Sequence, residues 1–125
     1  MLSKENRLKK KKDFEILFKE GRFVGGGLVD VKVWKVESEK YPKRGYLESE
    51  LKIGFVVSKK NHKSAVTRNK IKRQMREVTR LLLKESKLKK GFMLVLLSKP
   101  KILESKYQEI SKDIFEVFKK AGLLV

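Results

Sequence analysis

The stretch Ser64–Lys84, SAVTRNKIKRQMREVTRLLLK, decides the fold, because inside it the apolar spacing takes up the 3.6-residue period of a helix. Ile71, Met75, Val78 and Leu82 stack on one face at about 100° per residue, and Ser64 stands where an N-cap accepts a hydrogen bond from the first turn. Both flanks read as strands. Leu51 to Ser58 is rich in β-formers around Ile53, Phe55, Val56 and Val57. Phe92 to Ser98 is apolar on both faces until Lys99-Pro100 stops it, which is the pattern of a strand at the centre of a sheet.

Upstream, Val29, Val31 and Val33 alternate with Asp30, Lys32 and Trp34, a half-buried strand, and Arg22 to Val24 leaves room for a further short one. Before it, Phe14, Leu17 and Phe18 share a helical face, so residues 11–20 read as a short helix with Gly21 in the C-cap place. Residues 37–50 are polar, contain Pro42 and Gly45, and read as a loop. Tyr107, Ile110, Ile114, Val117 or Phe118, and Ala121 mark a closing helix with Gly122 just beyond it. The order α-β-β-α-β-α describes a two-layer α/β sandwich on a mixed sheet of about four strands, with residues 1–125 forming a single domain.

Of the 125 residues, 33 are Lys or Arg and 15 are Asp or Glu, a formal charge of +18, yet 40% of the chain is hydrophobic. Enough apolar surface remains to offset the entropy of folding, so the chain is a folded basic domain rather than a disordered tail. Such an excess needs a polyanion, with nucleic acid first and an anionic membrane surface second. The longest apolar run, Phe92 to Leu97, is far short of a membrane span. Lys9 to Lys12 imitates a signal-peptide start only until Asp13 and Glu15 interrupt it. The absence of cysteine removes disulfides and thiolate zinc sites and fits a reducing cytoplasm.

Half of the charge excess lies in residues 51–80, which hold ten Lys and Arg against one acid, Glu77. A charged helix face is ordinarily solvated and laced with i,i+4 ion pairs. Here Lys72, Arg73, Arg76 and Arg80 project from the far side of the long helix with Glu77 alone to meet them, so an anionic partner relieves their repulsion. Lys59-Lys60-Asn61-His62-Lys63-Ser64 leads into the positive end of that helix. His62 has no second His, no Cys and no nearby carboxylate, and reads as a surface loop residue without chemistry. Gly25-Gly26-Gly27 precedes a strand rather than a helix, and reads as a turn or bulge rather than a phosphate cradle. By spacing alone Phe14 and Phe18 belong to the core. Trp34 has two open readings: an exposed aromatic between cations, as in a single-stranded RNA groove, or a ring packed under the first helix. No paired carboxylates and no nucleophile-base set are visible, so no catalytic residue and no protein-held metal is assigned.

Asn6-Arg7-Leu8-Lys9-Lys10, Asp13-Phe14, Leu17-Phe18-Lys19-Glu20-Gly21, then Ile53-Gly54-Phe55-Val56-Val57-Ser58-Lys59-Lys60, then Ala65-Val66-Thr67-Arg68-Asn69-Lys70-Ile71-Lys72-Arg73 with Arg76-Glu77, resemble the bacterial ribonuclease P protein component in order, spacing and length. Gly91-Phe92 through Ser98-Lys99-Pro100 and the closing helix are similar too. The resemblance implies the small basic subunit of a ribonucleoprotein endonuclease that removes the 5′ leader from precursor tRNA, with RNA as the catalyst. It implies a left-handed β-α-β crossover, against the usual right-handed rule. It implies that Arg68, Asn69, Lys70, Lys72, Arg73 and Arg76 meet the ribonuclease P RNA or organise the surface that does. It implies a leader cleft between the first helix and the sheet, formed by Phe14, Phe18, Lys32, Trp34, Lys59 and Lys60, and Mg²⁺ held mainly by RNA phosphates, lowered in requirement by the protein. No membrane and no small-molecule substrate enter this reading. Two departures stand out: Asn61-His62-Lys63-Ser64 lacks the usual glycine and is one residue longer, with Asn61 suited to a left-handed turn. Lys32 stands where an aromatic is frequent, with Trp34 two residues on as its substitute. A non-catalytic ribosomal-type RNA-binding protein is the alternative, and cleavage of precursor tRNA distinguishes the two.

Overall fold

The structure is a computed structural model and describes residues 2–59 and 62–125. Three α-helices, α1 (Lys11–Glu20), α2 (Ala65–Lys84) and α3 (Tyr107–Lys120), accompany four strands, β1 (Arg22–Val24), β2 (Val29–Lys35), β3 (Leu51–Val56) and β4 (Phe92–Ser98). The strands form one sheet in the order β1-β2-β4-β3. β1 and β2 pair antiparallel, as do β2 and β4, whereas β3 runs parallel to β4 and reaches it through α2. The sheet is therefore mixed, and β4 is central, as its apolar run on both faces requires.

Strand alternation sends Val29, Val31 and Val33 of β2, Ile53 of β3, and Leu94 and Leu96 of β4 to one face. Ile71, Met75, Val78 and Leu82 of α2 cover it together with Ile110, Ile114, Val117 and Phe118 of α3. Each such side chain contributes about 1.5–3 kcal/mol on leaving water. These two helices are the helical layer of the sandwich. Trp34 of β2, with Met93 and Val95 of β4, points to the other face, where Ile16 and Leu17 of α1 meet them. One ten-residue helix cannot roof four strands, so part of this second face stays open to a ligand.

The helix ends follow their local chemistry. Ser64 Oγ accepts a hydrogen bond from Thr67 N–H at 3.4 Å and caps α2. Gly122 leaves α3 in the left-handed region at φ 73°, as a glycine in that place permits. Gly21 is the C-cap of α1 as expected, its N–H donating to Leu17 C=O at 2.8 Å, and its backbone is extended because the chain turns directly into β1.

Candidate nucleic-acid interface

On α2 the helical pitch of about 100° per residue divides the cations among three directions. Asn69 and Arg73 ride the exposed crest. Lys72 and Arg76 lie on the flank that faces Arg7 and Lys9 of the N-terminal segment. Lys70 lies on the opposite flank, near Ile102 and Ser105. Arg80 is not available in the same way, because its Nε and Nη2 donate to the Glu77 carboxylate at 3.1 and 2.7 Å. That bond holds the Glu77 carboxyl below the usual carboxylate range. Among the described residues Lys72, Arg73 and Arg76 have no acidic partner, so their charge is left for an external anion.

Arg68 turns inward. Its Nη1 donates to the carbonyls of His62 at 2.9 Å and Lys63 at 2.7 Å, which closes the loop onto the start of α2 and occupies part of its five-donor fork. This closure overturns the reading of His62 as a surface residue. His62 is only 4% exposed, its backbone N–H donates to Ser58 C=O at 3.0 Å, and its Nε2 finds no partner among the described residues. Lys59 is exposed in the turn after β3, while the expectations for Lys60 and Asn61 lie outside the described residues.

On the open face, α1 lies across the sheet with Phe14 at β3 and Phe18 at β2. The Phe14 ring sits on Gly54, where a Cβ would come within 2.8 Å of two ring carbons. Phe18 is 42% exposed, and Lys32 Nζ stands 5.6 Å from its ring centre, a cation-π contact. Phe23, which sequence reasoning missed, is paired across the sheet from Lys32 and is 61% exposed. Two exposed rings thus bracket a cation that has no carboxylate partner among the described residues. The only signal for Phe23 was its place in a three-residue strand, which acquires meaning through the register.

Trp34 leaves the candidate cleft. It is 5% exposed, with Tyr41 and Tyr46 edge-on to its ring at centroid distances of 5.9 and 5.6 Å. The roof is fastened by Asp13, itself buried in α1, whose Oδ1 accepts from Arg44 Nη2 at 2.6 Å and from the Tyr46 hydroxyl at 2.7 Å. Of the two readings of Trp34, the packed one holds, so it cannot replace the aromatic that Lys32 displaces. Burial, with the bond to Asp13 second, pushes the Tyr46 phenol up to about 12.

The β1-β2 turn forms an anion seat, to which Gly27 is the one contributor among the three glycines, and the protein fills it itself. Gly27, Leu28 and Val29 N–H donate to the Asp113 carboxylate at 3.0, 2.9 and 2.9 Å. A Cβ at Gly26 would lie 2.2 Å from the Val29 carbonyl oxygen, so glycine is required for the turn and not for a phosphate.

The family profile described as Ribonuclease P matches residues 2–122. Over 124 residues the chain is 35% identical to the ribonuclease P protein component of Pseudanabaena sp. (strain PCC 6903), a match covering 99% of this chain and 97% of that one. With the ribonuclease P protein component of Bacillus mycoides (strain KBAB4) the identity is 33%, covering 98% and 96%. The solved RNase P protein of Thermotoga maritima is similar at a TM-score of 0.72 and 27% identity, covering 91% of this chain and 96% of that one. That of Staphylococcus aureus is similar at 0.77 and 25%, covering 98% and 100%.

Proposed function

The chain belongs to the family of ribonuclease P protein components, subunits of a tRNA-processing ribonucleoprotein endonuclease, and from that premise we propose that its two basic surfaces divide the RNA between them. Residues 1–125 act as one RNA-binding domain in the cytoplasm. The α2 surface, with Asn69, Lys70, Lys72, Arg73 and Arg76 outward and Arg68 shaping the loop beside it, meets the ribonuclease P RNA. The open face of the sheet, with Phe14, Phe18 and Lys32 joined by Phe23, takes the 5′ leader of precursor tRNA as a single strand. Lys59, together with Lys60 next to it in sequence, is assigned to the same leader. Among the described residues no helix is long and apolar enough to cross a membrane.

The observation that carries the leader assignment is the half-exposed Phe18 ring under the unpaired Lys32 ammonium. An aromatic face stacks on any base, and the adjacent cation meets the backbone, so the groove binds a strand of whatever sequence. Among the described residues no three carboxylate, His or Cys side chains converge as a metal ligand set. Because the family is that of a ribonucleoprotein enzyme, the chemical step and Mg²⁺ are assigned to the RNA. Fixed charge on the protein takes over part of the phosphate screening that free Mg²⁺ otherwise supplies.

Phe18→Ala and Arg73→Ala, each assembled with ribonuclease P RNA, test the division. Phe18→Ala weakens binding of leader-bearing precursor relative to mature tRNA by about 1–3 kcal/mol for each base unstacked. Arg73→Ala weakens association with the RNA subunit and reduces the salt slope by about 0.9 where it meets a duplex phosphate. Equal losses for precursor and mature tRNA in both variants would sink the two-surface reading.

A further inference from the structure

β3 is an outer strand of the sheet, and only its first half is covered. The N-terminal segment lies along it: Asn6 Nδ2 donates to Leu51 C=O at 2.8 Å, and Leu8 N–H to Ile53 C=O at 3.0 Å. Backbone groups two residues apart in a strand point to the same edge. The N–H and C=O of Phe55 therefore follow those of Leu51 and Ile53 outward, past the point where the segment turns into α1.

A cavity of about 230 Å³ opens there at the edge of β3, with Leu2 and Phe55 on the α2 side of the strand and Leu8 and Phe14 on the α1 side. Its rim carries Arg7, Lys9, Lys72 and Arg76, and no carboxylate lines it. That volume is below the roughly 300–1,000 Å³ of pockets for drug-sized ligands, so it suits one flat ring. An aromatic wall at Phe55, a cationic rim and a backbone donor and acceptor unpaired among the described residues together match a nucleobase with its phosphates. An A-form duplex hides its base faces, so the base is unpaired. Lys72 and Arg76 of the rim belong to α2, and the notch lies at the opposite edge of the sheet from the Phe18, Lys32 and Phe23 groove.

We propose that this notch holds one unpaired nucleobase of the RNA subunit, its ring against Phe55, its polar edge on the Phe55 backbone and its phosphates on Lys72 and Arg76. The inference rests on α2 facing that RNA. It makes Phe55 a position-specific reader within an otherwise sequence-tolerant electrostatic surface.

Base-edge chemical footprinting of ribonuclease P RNA, with dimethyl sulfate and a carbodiimide, tests it on the assembled complex. Wild-type protein protects at least one unpaired base that becomes reactive again with Phe55→Leu, while the other protections remain and affinity falls roughly tenfold. Lys72→Gln combined with Arg76→Gln, both on the rim, releases the same base and covers the case in which Phe55→Leu misfolds. Circular dichroism of each variant reports that case directly. If both variants leave every base protection intact, or if the wild type binds while protecting only backbone, the notch proposal is overturned and the α2 reading survives. If wild-type protein does not bind the RNA at all, the α2 reading falls with it.

Discussion

Asp13→Ala removes the pin that holds the polar loop over Trp34, and its cost is worked from two bonds. The Asp13 carboxylate accepts from Arg44 at 2.6 Å and from the Tyr46 hydroxyl at 2.7 Å. A hydrogen bond to a charged group contributes about 1.5–3 kcal/mol. The Arg44 side chain is 28% exposed, so the ionic part of its share is discounted toward the 1 kcal/mol of a surface pair. The Tyr46 hydroxyl is left buried without its acceptor, and the total comes to roughly 2–4 kcal/mol. For a chain of this length that lowers the melting temperature by on the order of 8–16 °C. Trp34 is the only tryptophan, so its emission reports the roof directly. In Asp13→Ala the emission shifts to the red and acrylamide quenching rises, while the far-ultraviolet signal of the helices persists below the transition. Asp13→Asn, which keeps a carbonyl for the Tyr46 hydroxyl, falls between the two. An unchanged melting temperature with unchanged quenching would refute the pin and reopen Trp34 as a groove residue.

In an alkaline spectrophotometric titration, one of the three tyrosines ionises near 12, and Tyr46→Phe removes that step. Because folding raises this phenol above its ordinary 10.0, its contribution to stability is complete below pH 10 and is lost as the pH climbs through about 12; a normal midpoint for all three tyrosines contradicts it. Gly54→Ala places a Cβ 2.8 Å from two Phe14 ring carbons and displaces that ring, at about 1–3 kcal/mol. In a Phe14→Ala background the same substitution is nearly neutral, and equal destabilisation in both backgrounds would show that the ring does not rest there.

Most of the architecture was legible because the periods are clean. Ile71, Met75, Val78 and Leu82 announce α2, and the doubly apolar β4 announces its central place. Alternation also put Trp34 on the same face as Lys32, but alternation names a face without saying what covers it. The cover comes from Tyr41 and Tyr46, on a loop that Arg44 and Tyr46 tie to Asp13 across more than thirty residues, and no local pattern encodes those bonds. His62 sits among polar neighbours and looked exposed, yet the Arg68 fork folds its loop inward. The lone Gly54 inside a strand pattern is a sign of close approach. Only the tertiary structure says that Phe14 makes the approach and leaves a notch beside it. The cationic run of α2 was plain in sequence, but its division among crest and two flanks depends on what packs at each side.

Cleavage of a leader-bearing precursor tRNA by ribonuclease P RNA, titrated with Mg²⁺ in the presence and absence of this protein, tests the central claim most directly. The chain carries a formal charge of +18, and among the described residues Lys72, Arg73 and Arg76 of α2 and Lys32 of the sheet have no acidic partner. With the protein present the Mg²⁺ requirement moves to lower concentration, the shift is larger with a leader than without one, and protein freed of RNA cleaves nothing. An unchanged Mg²⁺ dependence, or cleavage by the RNA-free protein, would contradict it.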